Sequence, residues 1–213
     1  MIDGPRIAPA SGGPATSLVI LLHGYGSNGD DLIGLAPYWR GALPGTAFVA
    51  PNAPEICPGA PDGYQWWGIS GLDRAARAAG AAAAAPALDA FVDAELAAHG
   101  LTEASLALVG FSQGTMMALH VGPRRAIPLA GIVGFSGMVA DEAALAAAPT
   151  RPPVLLVHGD ADPMIPIGAF HAADAALRAA GFSVESHVSP GLGHSIDLPG
   201  LNLGGAFLAR VLG

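Results

Sequence analysis

The sequence predicts an α/β protein with a mostly parallel central sheet of about six or seven strands and helices on both faces. Short apolar runs recur along the chain and alternate with longer stretches of helical periodicity. Most of these runs are continuously apolar and do not alternate with polar residues, which is typical of strands that are buried on both faces. No internal boundary or repeat divides the chain, so we predict one domain over residues 1–213 without a large cap domain.

In the first half of the chain, strands are predicted at residues 17–22 and 46–50, each followed by turn-forming residues. Asp30 and Asp31 are suited to cap a helix that runs to about residue 40. Residues 51–72 contain several Pro and Gly, and loops of this length in compact domains usually carry function. A helix is predicted over residues 72–100, and Gly80 and Pro86 are expected to split it into two pieces.

In the second half, strands are predicted at residues 105–109, 129–135, 154–157 and 183–188. Helices are predicted at residues 113–120, 141–147, 167–180 and 200–212. In sheets of this kind, ligands bind at the carboxyl ends of the strands. The chemistry is therefore expected in the loops after residues 22, 109, 157 and 188.

The composition excludes several classes of function. Apolar residues make up 52% of the chain and charged residues 12%, which indicates a folded globular protein. The net charge of −8 argues against nucleic acid or an anionic membrane as the main partner. All nine basic residues are Arg, so no chemistry that needs a lysine can operate. Cys57 is the single cysteine, which excludes an internal disulfide or a cysteine-based zinc site.

The amino-terminal segment does not have the sequence pattern of a secretion signal. Residues 1–16 lack a basic stretch followed by an apolar one, and the apolar run at residues 18–22 is too short to cross a bilayer. We therefore predict a cytoplasmic protein that does not insert into a membrane.

Ser112 lies in the sequence Gly-Phe-Ser-Gln-Gly at residues 110–114, directly after an apolar run and directly before a helical stretch. A Ser in G-x-S-x-G between a strand and a helix is presented at the tip of a sharp turn, and the two glycines leave room for the crowded backbone. The pattern is short enough to arise by chance in a glycine-rich chain. Its interpretation as a nucleophile therefore depends on the other loops.

A serine hydroxyl needs a base to become a nucleophile, and the base needs a carboxylate to orient it. The loop after residue 157 offers Asp160 and Asp162, and the loop after residue 188 contains His194. The chain order is therefore Ser, Asp, His, each in a loop that follows a strand. Either aspartate satisfies this order.

The loop after residue 22 predicts the remaining part of such a site. An oxyanion hole in this arrangement uses the backbone N–H after the nucleophile, here that of Gln113, and one from the early loop at residues 23–26. We predict Tyr25 as the second donor. His23 is expected to brace this loop, and His158 the loop of the aspartates.

Six segments of the chain together indicate a protein family. They are LLHGYGSNGDDL, VAPNAPE, GFSQGTMMAL, GFSGM, VLLVHGDADPMIP and GLGHSI. In content and order they resemble the carboxylesterase/phospholipase branch of the α/β-hydrolases, which includes acyl-protein thioesterases and small bacterial esterases. The stretch PGAPDGYQWWGIS resembles the bacterial members. The resemblance implies Ser112 as nucleophile, Asp162 as acid and His194 as base. It also implies an α/β-hydrolase fold and lid-free esterase or thioesterase activity, often in dimers.

We therefore expect a serine hydrolase that cleaves carboxylic esters with short to medium acyl chains through an acyl-enzyme, without a metal or organic cofactor. Of the substrate-binding candidates Trp66 and Trp67, at least one is expected to line the acyl pocket while the other packs on the core. Met164 and Ile165 are expected to close the other wall of the pocket, with core packing as their alternative. Within enzymes, the alternative function is a thioesterase or lysophospholipase. From another class, the alternative is a catalytically silent binding module on the same fold.

Overall fold

The computed structural model of the protein describes residues 2–69 and 73–213. The strands are β1 (Arg6–Ile7), β2 (Ser17–Leu22), β3 (Thr46–Val49), β4 (Glu55–Ile56), β5 (Tyr64–Gln65), β6 (Leu106–Phe111), β7 (Gly131–Phe135), β8 (Val154–Gly159) and β9 (Val184–Ser189). In the described part of the chain, seven of them form one sheet in the order β1-β3-β2-β6-β7-β8-β9. β1 runs antiparallel to β3, and the other neighbours are parallel.

The helices cover both faces of this sheet. They are α1 (Gly29–Leu32), α2 (Ala36–Trp39), α3 (Arg74–His99), α4 (Gln113–Val121), α5 (Glu142–Ala146), α6 (Ile167–Ala179) and α7 (Leu198–Leu212). Along β2, Leu18, Ile20 and Leu22 join the core beneath α3, α4 and α6, whereas Val19 and Leu21 join the core beneath α2 and α7. Both faces of the central strands are thus buried, which explains their uniformly apolar runs. The α/β class and the mostly parallel sheet predicted from the sequence are confirmed.

The prediction that Gly80 and Pro86 split the long helix is wrong, because α3 is one helix of 26 residues with Pro86 inside it. A proline in a helix interior removes one hydrogen bond and costs about 3 kcal/mol. The buried residues Ala84, Leu88 and Phe91 pack this helix onto the core and offset that cost. Its predicted start at residue 72 lies outside the described residues, and Asp73 is the N-cap.

Two further differences are local. The helix predicted over residues 30–40 is interrupted by a 3₁₀ turn at residues 33–35, and Asn28 caps it through its side chain in place of Asp30 or Asp31. The short strands β1, β4 and β5 were not predicted, since strands of two residues leave no periodic pattern.

The parallel register brings the loops named in the sequence prediction to one edge of the sheet. Leu22 pairs with Gly110, Phe111 with Phe135, and Gly159 with Ser189, so these strands end side by side. In the described part of the chain, no helix is long and apolar enough to cross a membrane. The cytoplasmic location stays a prediction.

Candidate active site

Ser112 occupies a sharp turn between β6 and α4 in a backbone conformation that side chains rarely adopt. Its φ is 54° and its ψ is −114°. Such a conformation costs about 1–3 kcal/mol and persists only where the surroundings impose it. The Ser112 N–H donates to the Phe135 carbonyl over 2.9 Å, which ties the turn to the neighbouring strand. The hydroxyl is thereby held at the edge of the sheet.

The glycines on either side of Ser112 are required by close backbone approach. A Cβ added at Gly110 would lie 2.4 Å from the carbonyl carbon of Gly114, and one added at Gly114 would lie 1.8 Å from the Leu22 oxygen. Any larger residue would push α4 away from β2 and β6. The spacing of the pentapeptide is therefore a packing requirement of this turn.

His194 and Asp162 form a directly hydrogen-bonded pair beside this turn. The His194 Nδ1 lies 2.7 Å from the Asp162 Oδ2. The Asp162 side chain is fully buried, whereas that of His194 is 20% exposed. The Phe111 ring packs against the His194 ring with 4.9 Å between their centroids. The imidazole is thus oriented by Asp162 at Nδ1 and by Phe111 at its face.

Backbone donors keep Asp162 ionised despite its burial. Its Oδ1 accepts the N–H groups of Met164 at 2.8 Å and Ile165 at 2.9 Å. Burial by itself raises the pKa of Asp162, but the hydrogen bonds from Ile165, His194 and Met164 outweigh it and lower the pKa below its usual value. The carboxylate therefore stays charged and accepts a proton-bearing Nδ1 of His194.

The two other polar residues of this loop brace the turn that holds Asp162. The His158 Nε2–H donates to the Ile165 carbonyl over 2.8 Å, which fixes one of the peptides that bind Asp162. Asp160 is exposed, and its Oδ1 accepts the Gly191 N–H over 2.6 Å. Asp160 therefore ties its own loop to the loop that carries His194, and Asp162 is the aspartate that contacts the imidazole.

The loop at residues 23–26 packs directly against Ser112. A Cβ added at Gly24 would lie 3.2 Å from the Ser112 Cβ. His23 is fully buried, its Nδ1–H donates to the Gly24 carbonyl, and its Nε2 accepts the Ala53 N–H over 2.9 Å. Because burial is the largest influence, the pKa of His23 is lowered, which favours the neutral ring that these two partners need. Tyr25 is the next residue of this loop, after Gly24.

The side chain of Gln113 has a structural role that the sequence did not indicate. Gln113 is the first residue of α4, where the backbone N–H groups of a helix have no partner inside the helix. Its buried amide accepts the Trp66 N–H through Oε1 and donates to the Trp67 carbonyl through Nε2, both at 2.9 Å. The residue next to Ser112 thus holds the tryptophan loop against the site.

Ser112 and His194 open into one pocket with a volume of about 270 Å³. Its other described lining residues are Tyr25, Trp67, Ile69, Arg77, Gln113, Met116, Met164 and Ile165. The walls are mostly apolar, and a few polar groups are set among them. This combination is typical of a site for a small organic substrate.

A sequence model of the phospholipase/carboxylesterase family matches residues 4–211. The chain belongs to this family. It is therefore an ester hydrolase with the α/β-hydrolase fold.

Relatives of this esterase agree with the assignment. Esterase YpfH of Escherichia coli is 30% identical over 86% of this chain and 78% of its own length. Acyl-protein thioesterase 1 of Neurospora crassa is 28% identical over 92% of this chain and 87% of its own. Among solved structures, esterase PE8 is 46% identical, covers 99% of both chains and superposes with a TM-score of 0.94.

Of the four residues predicted for the pocket wall of the esterase, the structure places three in the pocket lining and one in the core. Trp67, Met164 and Ile165 line the pocket. Trp66 does not, because its ring is 1% exposed in the core and its indole N–H donates to the His23 carbonyl over 3.0 Å. Core packing, the stated alternative, therefore applies to Trp66.

Three lining residues of the esterase were not anticipated: Ile69, Arg77 and Met116. Met116 both joins the core and lines the pocket. Arg77 belongs to α3, so its place in the pocket depends on how that helix docks. The described residues contain no cluster of His, Cys, Asp and Glu that could hold a metal ion.

Proposed function

We propose that this esterase hydrolyses carboxylic esters with short to medium acyl chains through Ser112, His194 and Asp162. The observation that carries the proposal is the 2.7 Å hydrogen bond between His194 and a fully buried Asp162, in a pocket that Ser112 also lines. A bonded His–Asp pair beside a strained serine is the arrangement that nucleophilic acyl transfer needs.

In the proposed mechanism, the His194 Nε2 takes the hydroxyl proton of Ser112 as the serine oxygen attacks the ester carbonyl. Asp162 accepts the Nδ1–H and stabilises the resulting imidazolium. The tetrahedral oxyanion is bound by the backbone N–H groups of Tyr25 and Gln113. One such donor contributes about 10²–10³ in rate.

The second half of the reaction runs through the same groups. His194 gives its proton to the departing alcohol, and the acyl group stays on Ser112. A water molecule then attacks the acyl-enzyme while His194 accepts a proton from it. The bond between the acyl carbon and the Ser112 oxygen breaks, His194 returns that proton to the serine oxygen, and the acid leaves. Every proton that moves passes through His194, so the cycle needs no metal or organic cofactor.

The pocket supports short to medium acyl chains. Its apolar lining includes Trp67, Met116 and Ile165, which are buried, and Met164, which is 70% exposed. A chain that fills about 270 Å³ gains the apolar contacts, and longer chains extend past Met164 into water. Thioesters undergo the same acyl transfer, so a thioester belongs beside the esters in the substrate panel.

The test combines covalent labelling with kinetics. A fluorophosphonate probe is expected to label the wild-type protein and to leave Ser112→Ala unlabelled. Ser112→Ala is expected to lower kcat on p-nitrophenyl butyrate by about 10⁴-fold or more. Ser105→Ala is the matched control, because Ser105 precedes the opposite end of the same strand, β6.

Retention of most activity in Ser112→Ala would overturn the assignment of the nucleophile. A wild-type protein that is neither labelled nor active on any ester of a C2 to C16 panel would favour the binding-module alternative. Within the panel, the highest kcat/KM is expected between acetate and octanoate, and a maximum at palmitate would contradict the proposed chain length.

A further inference from the structure

The substrate pocket carries a positive charge although the chain as a whole has a net charge of −8. Among the described residues that line it, Arg77 alone has a permanent charge, and none is a carboxylate. Asp162 is close by, but its side chain is fully buried behind His194. The rest of the wall is largely Trp, Ile and Met. Ester hydrolysis as proposed above uses no guanidinium.

The position of Arg77 is set by the docking of α3 onto the tryptophan loop. Arg77 and Gly80 are three residues apart on the helix and therefore share a face. Gly80 touches the ring of Trp67 so closely that an added Cβ would lie 2.3 Å from the Trp67 Cγ. Trp67 is in turn held by Gln113. The base of the Arg77 side chain is thus fixed against the same wall that lines the pocket.

A guanidinium in this setting is suited to bind an anion. It carries its charge throughout the neutral range and has five N–H donors in a rigid fork, so it can keep one partner in the chain and still present donors to a ligand. Its geometry matches two oxygens of a carboxylate or phosphate. Apolar walls exclude water and lower the local dielectric, which strengthens such a contact.

We propose that Arg77 is a specificity-determining residue that binds an anionic oxygen group, carboxylate or phosphate, carried by the ester substrate. The inference rests on the proposed function, since it names the substrate class of the same pocket. The preferred substrates are then esters with a second, negatively charged end: half-esters of dicarboxylic acids, or acyl esters of a phosphate-bearing alcohol. A charge-assisted contact of this kind corresponds to about a tenfold to hundredfold preference.

Binding to Ser112→Ala tests the inference without turnover. The probe is monomethyl adipate, and its neutral counterpart is methyl adipamate, which has an amide in place of the carboxylate. Calorimetry is expected to give a Kd for the anionic ester that is about 10- to 100-fold lower. Adding Arg77→Met is expected to bring the two Kd values together, and Arg77→Lys to keep part of the difference, because a lysine supplies charge without the fork.

Arg74→Met is the matched control. Arg74 lies one turn earlier on α3, pairs with Glu142 over 2.8 Å and is 64% exposed. Its removal changes the net charge by the same amount and is expected to leave the preference as in the parent protein. Loss of the preference in Arg74→Met would show a general charge effect and would overturn the assignment to Arg77.

Kinetics in proteins that retain Ser112 distinguish the two sources of the anion. One arm compares kcat/KM for mono-p-nitrophenyl adipate and p-nitrophenyl adipamate, with the charge on the acyl side. The other compares 1-butyryl-glycerol 3-phosphate with 1-butyrylglycerol, with the charge on the alcohol side. The arm that shows a preference dependent on Arg77 identifies the source.

Equal Kd values for the charged and neutral esters in Ser112→Ala, or a preference that survives Arg77→Met, would overturn the inference and leave the proposed function intact. Preferential binding together with an inactive wild-type protein would instead overturn the proposed function. The two failures therefore give different results.

Discussion

Replacing Asp162 with Asn changes one atom of a buried side chain and tests the proposed role of the His–Asp pair. The asparagine Oδ1 can still accept the N–H groups of Met164 and Ile165, which lie 2.8 and 2.9 Å from the present carboxylate oxygen. The new amide group then faces the His194 Nδ1, which is 2.7 Å from the present Oδ2. An amide donates there, so Nδ1 must become the acceptor.

The consequence is the wrong tautomer of His194. With Nδ1 as acceptor, the ring proton sits on Nε2, and Nε2 can no longer take the proton of Ser112. The same exchange in a Ser-His-Asp site lowers kcat by about 10⁴-fold, which corresponds to about 5 kcal/mol of transition-state stabilisation. Loss of one charge-assisted hydrogen bond lowers the free energy of unfolding by only about 1.5–3 kcal/mol. The catalytic loss is therefore expected to exceed the loss of stability.

The assay measures kcat on p-nitrophenyl butyrate and the free energy of unfolding from urea titration in the same preparations. Asp160→Asn is the control, because Asp160 accepts the Gly191 N–H at the surface and does not contact His194. It is expected to keep kcat within about threefold. Severe loss in Asp160→Asn with little loss in Asp162→Asn would reassign the acid, and little loss in both would refute the reasoning about the tautomer.

Two further changes test other parts of the structure. Gln113→Ala leaves the Trp66 N–H and the Trp67 carbonyl without their partner. The free energy of unfolding should therefore fall by about 2–4 kcal/mol, and KM should rise. An unchanged urea midpoint and an unchanged KM would contradict the role of Gln113 in holding the tryptophan loop. Burial, followed by the charge of Arg124, lowers the pKa of His120, so the unfolded chain takes up the proton first. Neutral His120 therefore makes its full contribution to the stability of the folded state above about pH 6.5. This contribution is lost as the pH falls through the pKa that His120 has in the folded state. Between pH 7.5 and 5.0 the wild type should therefore lose more stability than His120→Leu, and equal losses by urea unfolding would refute this.

The sheet could be predicted from the sequence because its determinants are local. A strand such as β2, covered by helices on both faces, is expected to be apolar along its length whatever its partners are, and residues 18–22 are. The turn at Ser112 is similarly local, since backbone crowding between Gly110 and Gly114 requires glycine at both positions. These features predicted the fold class and the edge of the sheet at which the loops meet.

The long helix α3 shows where local rules fail. Gly80 and Pro86 both disfavour a helix interior, so the local sequence predicts a break. Burial of Leu88 and Phe91 keeps the helix continuous, and Gly80 is the residue that lets the Trp67 ring pack against it. The stabilising contacts come from residues distant in the chain, which propensity does not include.

What the sequence by itself determined is the α/β class, the order of Ser112, the aspartates and His194, and the loops that hold them. The tertiary structure decided which aspartate meets the imidazole, because the N–H groups of Met164 and Ile165 turn Asp162 inward. It also placed Trp67 and Arg77 in the pocket lining and Trp66 in the core. Those outcomes depend on side-chain direction and on the docking of separate elements, and neither is encoded in the spacing of residues along the chain.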